Sequence, residues 1–361
     1  MRKVLQTVLI DLAVMAVLLI AGEAGVRVFY PQAARYLFSS TLTGGHPIHL
    51  NSHGLRDEEF PEARPAGERR ILCLGDSTTF GAGIAAEETY PKQMERLLNE
   101  APEGRKRWRV INAGGQGASV TGLTEYLERQ GLAFKPEAVV LGFSPTMVGV
   151  AGRHTDEAAP QETAGRTLRG MLLSLHVRLH SSYLYVLFDA NLRKRLYRWG
   201  VIQDRMDARQ GALFAYAFDV PEIQKPEVEE AYGKLEREIS LLKKLLAAKR
   251  IPLIVLNIPS RFRISDSPED NERGYDPARI RIDPTDRVAV FCWKMGIPFS
   301  DLRPALGQLR QKMLRGEIPW DDLYTPTDYA HLNPRGMREA AILLLQKRTG
   351  RGQWAVQGSN L

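Results

Sequence analysis

Ile71-Leu72-Cys73-Leu74-Gly75-Asp76-Ser77-Thr78-Thr79-Phe80-Gly81 is the stretch that decides the fold. A short unbroken apolar run stops at Gly-Asp-Ser, and small residues follow. The run has the length and composition of a strand buried on both faces. In α/β folds ligands bind outside the carboxyl ends of such strands, so Ser77 stands where chemistry is done. Far downstream lies Asp328-Tyr329-Ala330-His331-Leu332-Asn333-Pro334. Ser, Asp and His are the three parts of an acyl-transfer triad, and the candidates are Ser77, Asp328 and His331.

Outward from that run, strands and helices alternate. Strand patterns cover 70–74, 109–112, 138–143 and 251–258, with a further strand or loop beginning at 298–301. Helical patterns cover 90–98, 122–132, 227–249, 285–295 and 335–347. Met94, Leu97 and Leu98 share one helix face, as do Val228, Leu235, Ile239, Leu242 and Leu246. The alternation predicts an α/β fold, a three-layer α/β/α sandwich around a central parallel sheet. The expected organisation is an N-terminal apolar segment at 1–25, a stalk and cover at 26–67, a catalytic domain at 68–350 and a tail at 351–361. Pro31, Pro47, Pro61 and Pro65 punctuate the stalk.

An insertion at about 150–226 interrupts the alternation. Between Arg166 and Arg209 nine Arg/Lys face three Asp, a balance of +6. Leucines and tyrosines are interleaved, so the segment reads as amphipathic helix. It is either a helical cap with a solvated basic face, or a lid or patch that rests on anionic lipid.

The first residues, Met1-Arg2-Lys3, are basic, and 4–22 is apolar apart from Asp11 and a few polar residues near the start. A membrane anchor needs about 20 apolar residues. A cleaved signal peptide needs fewer and a small-x-small site, which Gly22-Glu23-Ala24 offers. Both readings put the rest of the chain outside the cytoplasm, either anchored by a single pass or secreted. A buried soluble helix is the third reading.

Composition narrows the class. The 361 residues are 44% hydrophobic and 25% charged, which is ordinary for a globular protein. The net charge of +7 is diffuse, and no nucleic-acid-binding signature accompanies it. Only two cysteines occur, Cys73 and Cys292, and Cys73 lies within the strand run. Neither a disulfide framework nor a cysteine metal site follows. His46, His49 and His53 form a cluster that no carboxylate spacing completes, and His176 with His180 lacks a third ligand.

A serine hydroxyl needs a base within hydrogen-bond reach, and the base needs an orienting group. His331 is the only one of the seven histidines with an Asp three residues before it. Asn333-Pro334 then suits a helix start. Asp76 reads as a structural hydrogen-bonder, and Trp320 as a pocket or core residue. An oxyanion hole is also required. Its candidate donors are the Ser77 N–H and the glycine cluster Gly114, Gly115 and Gly117, where backbone can approach a ligand closely.

Gly75-Asp76-Ser77, Asn112-x-Gly-x-x-Gly117 and Asp328-x-x-His331 resemble blocks I, II and V of the SGNH, or GDSL-like, hydrolase superfamily in order and spacing. The resemblance covers about residues 50–350. Asn51-Ser52-His53-Gly54-Leu55-Arg56-Asp57 and the apolar N-terminus resemble membrane-anchored bacterial members. The resemblance implies acyl-ester chemistry without metal or organic cofactor. Ser77 would be the nucleophile, His331 the base and Asp328 its orienter, with the Ser77 and Gly117 N–H groups holding the oxyanion. Block III of the family, Gly-x-Asn-Asp, supplies a third donor from its Asn. Here the strand runs into Leu141-Gly142-Phe143-Ser144-Pro145-Thr146-Met147, so Thr146, or Ser144, stands in.

Three functions fit this pattern. The first is an extracytoplasmic serine esterase acting on O-acyl esters, O-acetyl foremost, of a glycan or small molecule. The second is an O-acyltransferase that passes the acyl group to a polysaccharide or cell-envelope glycan. The third is a non-catalytic binding protein on the same fold.

Overall fold

The structure is a computed structural model, described here for residues 2–29, 42–100, 107–151, 182, 184–185, 188, 226–261, 264, 284–325 and 330–346. The chain forms two compact units, one of residues 1–48 with 158–205, the other of 49–157 with 206–361.

In the first unit, α1 (Arg2–Phe29) is one continuous helix. Its Val14, Met15, Val17, Leu18, Leu19 and Ile20 are exposed. Glu23 pairs with Arg27 one turn on and accepts hydrogen bonds from Ser182 Oγ and the Leu184 N–H, both at 2.8 Å. Gly22-Glu23-Ala24 therefore lies inside a helix. Among the described residues no helix is long and apolar enough to cross a membrane. A two-stranded hairpin, β1 (Leu42–Thr43) with β2 (His46–Pro47), completes what is described of this unit's regular structure before residue 49.

The second unit holds a five-stranded parallel sheet. Its elements in chain order are β3 (Glu68–Gly75), α2 (Ser77–Phe80), α3 (Tyr90–Glu100), β4 (Arg107–Gly114), α4 (Val120–Arg129), β5 (Ala138–Phe143) and α5 (Thr146–Ala151). There follow α6 (Pro226–Ala248), β6 (Leu253–Asn257), α7 (Pro284–Lys294), β7 (Phe299–Asp301), α8 (Arg303–Leu314) and α9 (Pro334–Gln346). The strand order is β4-β3-β5-β6-β7.

Successive side chains of a strand face opposite ways, and here each face meets its own helical layer. Leu72, Leu74, Ile111, Val139, Leu141 and Val255 pack against Leu123 and Leu127 of α4, Leu235, Ile239 and Leu242 of α6, and Cys292 of α7. Ile71, Cys73, Val110, Val140, Ile254 and Leu256 pack against Tyr90 and Met94 of α3, Leu306 of α8, and Met337, Ala341 and Leu344 of α9. Each fully buried aliphatic side chain contributes about 1.5–3 kcal/mol, so both layers are needed.

β4 is an edge strand, and an open edge invites pairing with other chains. Here side chains occupy its outward N–H groups. Asn99 Oδ1 accepts from Trp108, Glu95 Oε2 from Val110 and Asp57 Oδ2 from Asn112, at 2.7–2.9 Å. The chain crosses from β4 over β3 to β5, so the direction of winding reverses at the β3/β5 crevice. Ligands of open α/β sheets bind at such a reversal. Ser77 follows β3 and Ser144 follows β5, on either side of it.

Candidate active site

The turn that carries Ser77 is built by its neighbours. Asp76 is the N-cap of α2 and accepts hydrogen bonds from Thr78 N at 2.9 Å and Thr78 Oγ1 at 2.7 Å. Ser77 is thus the first residue of the helix, and the first N–H groups of a helix have no acceptor within it. Three strand-end glycines, Gly114, Gly75 and Gly142, stand in one register row across β4, β3 and β5. A Cβ on Gly75 or Gly142 would come within 2.3 Å of Thr79 Oγ1, and one on Gly114 within 2.2 Å of Phe80 N. α2 sits directly on the end of the sheet, which only glycine allows.

His331 arrives from the other end of the chain. Its Nε2 lies 2.8 Å from Ser77 Oγ, across 254 residues of sequence. The His331 loop is clamped to the segment before it. Tyr324 and Leu332 form an antiparallel bridge, Thr325 N donates to His331 O, and Asn333 N donates to Leu323 O. Asn333 Oδ1 accepts from Gly336 N and so caps α9, while its amide donates to Asp321. Leu323, fully buried, takes φ 61°, a strained value for a branched residue. Asp328 lies outside the described residues.

The hydroxyls expected at the oxyanion site are engaged elsewhere. Ser144 Oγ and Thr146 Oγ1 each donate to Asp76 Oδ2 at 2.5 Å and lie 2.5 Å from each other. A hydroxyl has one proton to donate, so neither points a donor at Ser77 in this arrangement. Asp76 thereby ties the end of β5 to the Ser77 turn, the structural role its sequence suggested. Ser144 is buried and Thr146 partly exposed. The glycine turn is fixed as well. Gly115 N donates to Gly75 O at 2.9 Å, Ala118 N closes the turn on Gly115 O, and Gly117 takes φ 68° in open space.

The remaining candidates separate. Trp320 is 56% exposed with the Arg310 guanidinium 5.3 Å from its ring centroid, so it is not a core residue. His53 Nε2 pairs with Phe60 O at 2.8 Å, its ring against Phe60 and Phe134. His176 and His180 lie outside the described residues. Among the described residues no group of His, Cys, Asp or Glu is arranged to hold a metal ion. Burial pushes the Cys292 thiol up to about 12, and it raises the Cys73 thiol and the Tyr90 hydroxyl well above their ordinary values. None of these is a nucleophile at neutral pH. Sequence reading missed Gly142 as part of the cradle and Asn333 with Asp321 as the clamp. The Asn-Pro before the last helix was the signal for the latter.

No protein-family profile and no curated protein matches the chain. Among solved structures it is similar to Axe2, an acetylxylan esterase from Geobacillus stearothermophilus, with 16% identity and a TM-score of 0.40 over 77% of this chain and 93% of that one. It is also similar to the acetyl xylan esterase AlAXEase, with 16% identity and a TM-score of 0.39 over 77% and 98%. A member of the lipolytic protein G-D-S-L family from Veillonella parvula shows 13% identity and a TM-score of 0.38 over 77% and 97%.

Proposed function

We propose that this chain is a serine esterase of the SGNH, GDSL-like, type that cleaves O-acyl esters through an acyl-serine intermediate. The observation that carries the reading is the 2.8 Å contact between Ser77 Oγ and His331 Nε2 at the carboxyl end of a parallel sheet. A hydroxyl in that contact can pass its proton to the imidazole as it attacks. Ser77 Oγ bonds to the acyl carbon, and His331 Nε2 takes the proton. The oxyanion accepts from the Ser77 N–H and the Gly117 N–H. As the tetrahedral species collapses, His331 returns the proton to the departing alcohol. Water repeats the sequence and frees the acid. Asp328 orients His331 in this scheme.

Thr146 is the third donor. Because Ser144 and Thr146 both donate to the same oxygen of Asp76, the partly exposed Thr146 can turn to the oxyanion without leaving the carboxylate bare. The acyl group is acetyl and the substrate a glycan ester, with the catalytic unit outside the cytoplasm, anchored or secreted by way of the apolar N-terminal stretch. The basic start, the apolar 4–22 stretch and the exposed apolar residues of α1 support that placement.

The test is intact-mass spectrometry of the full chain after brief exposure to p-nitrophenyl acetate. One acetyl group on Ser77, absent in Ser77→Ala, is expected. Failure to acylate with any activated ester would turn the reading to a binding protein. A C-terminal reporter that works only outside the cytoplasm should be active, and its silence would remove the topology.

A further inference from the structure

The segment Asn51–Asp57 lies outside the triad and the glycine turns, yet two of its adjacent residues reach both sides of the proposed site. We infer that Arg56 and Asp57 form a brace that sets the two backbone sides of the oxyanion pocket against each other. They are positioning residues, and the inference rests on the esterase reading for its catalytic consequence only.

Arg56 is 1% exposed. Its Nη1 donates to Phe80 O at 3.0 Å and Gly81 O at 2.7 Å, and its Nη2 to Ile84 O at 2.7 Å. The guanidinium also lies 5.0 Å from the Phe80 ring centroid. Phe80 ends α2 and Gly81 is its C-cap, and the last carbonyls of a helix need partners from outside. A single planar fork thus fixes the far end of the four-residue helix that begins with Ser77. α2 is too short to hold its own geometry, since one turn forms little more than a nucleus.

Asp57 faces the other way. Its side chain is fully buried, accepting from Lys92 Nζ at 2.8 Å through Oδ1 and from Asn112 N at 2.8 Å through Oδ2. Asn112 Oδ1 in turn accepts from Gly114 N at 3.1 Å. That chain of bonds sets the end of β4, from which the Gly115–Ala118 turn and Gly117 follow. Consecutive residues of one segment therefore hold the Ser77 helix and the Gly117 turn. A displacement of about 1 Å between such groups costs roughly 100-fold in rate.

Hydrogen exchange of the full chain tests the brace without a substrate. Arg56→Lys keeps the charge but cannot span three carbonyls, so amides of 78–84 should exchange at least tenfold faster. Asp57→Ala should do the same for 110–117, while Asp57→Asn, which still offers Asn112 an oxygen, should restore most of that protection. With p-nitrophenyl acetate, Arg56→Lys and Asp57→Ala should lose about 10- to 100-fold in kcat with KM changed less than about threefold. The loss should persist at temperatures where circular dichroism shows both variants fully folded. Unchanged exchange in both segments overturns the brace. So does a rate that returns to the wild-type value once the variants are fully folded. An inactive wild type with the expected exchange pattern would instead sink the esterase reading and leave the brace standing.

Discussion

Gly114→Ala tests the cradle on which Ser77 rests. The added methyl would lie 2.2 Å from Phe80 N, 2.7 Å from Thr79 C and 2.8 Å from Phe80 Cα, all backbone atoms. Ordinary contact begins near 3.4 Å, so the groups must part by about 1 Å. The end of β4 resists, because Gly115 N is bonded to Gly75 O and Asn112 N to Asp57. α2 then moves, and Ser77 moves with it. A shift of about 1 Å stretches the 2.8 Å Ser77–His331 contact beyond hydrogen-bond range. The expected losses are about 1–3 kcal/mol of stability from overpacking and roughly 100-fold in kcat/KM. That factor corresponds to about 2.7 kcal/mol of barrier. The assay pairs thermal unfolding with p-nitrophenyl acetate turnover. Gly122→Ala is the control. It lies inside α4 with its added methyl at an ordinary 3.5 Å from Ser119 Oγ, and should stabilise by up to about 1 kcal/mol with unchanged turnover. Gly114→Ala with wild-type stability and a rate within threefold of wild type would refute the cradle.

Ser77→Ala and His331→Ala should each abolish ester turnover, and the double variant should be little worse; additive losses in kcat would show that the two do not act as one unit. Asp328→Asn should fold normally and lose roughly three to four orders of magnitude in kcat, read against an unchanged unfolding midpoint. Thr146→Val, which keeps shape and removes the hydroxyl, should cut kcat about 100-fold with KM little changed; an undiminished rate leaves the backbone donors alone in the oxyanion hole. Because burial holds the Cys292 thiol up to about 12 against an ordinary 9.0, the unfolded chain ionises first as pH rises. The unfolding midpoint should therefore fall above about pH 9 and be insensitive to this thiol below it. Replacing Cys292 by Ala should reduce that alkaline slope, and a slope unchanged in the variant would assign it to other groups.

Much of the architecture was legible because it rests on short-range rules. The 71–74 run, buried on both faces, could be only a central parallel strand, and the predicted strand 138–143 coincides with β5. Helix 227–249 differs from α6 by one residue at each end, since its heptad-like apolar positions are set by the helical period alone. The strands around 70–74 and 109–112 emerge longer, as Glu68–Gly75 and Arg107–Gly114. Polar ends join a ladder when backbone partners exist, whatever their hydropathy. α8 escaped notice because its Gly307 and polar residues blur the period. α2 did too, because four residues carry no periodicity.

By itself the sequence determined the residue types of a candidate triad, their order, and the strand end that carries Ser77. Those depend on local composition and on chemistry that needs a nucleophile, a base and an orienter. The tertiary structure decided what those residues meet. The approach of His331 to Ser77 depends on β7, α8 and the Tyr324–Leu332 bridge, which bring the chain's end back over the sheet. The engagement of Ser144 and Thr146 with Asp76 depends on β3 and β5 being neighbours. The row Gly114, Gly75 and Gly142 depends on register across three strands. Each is a contact between residues distant in sequence, formed only after the sheet has closed the loops between them, and no pattern within a single segment records it.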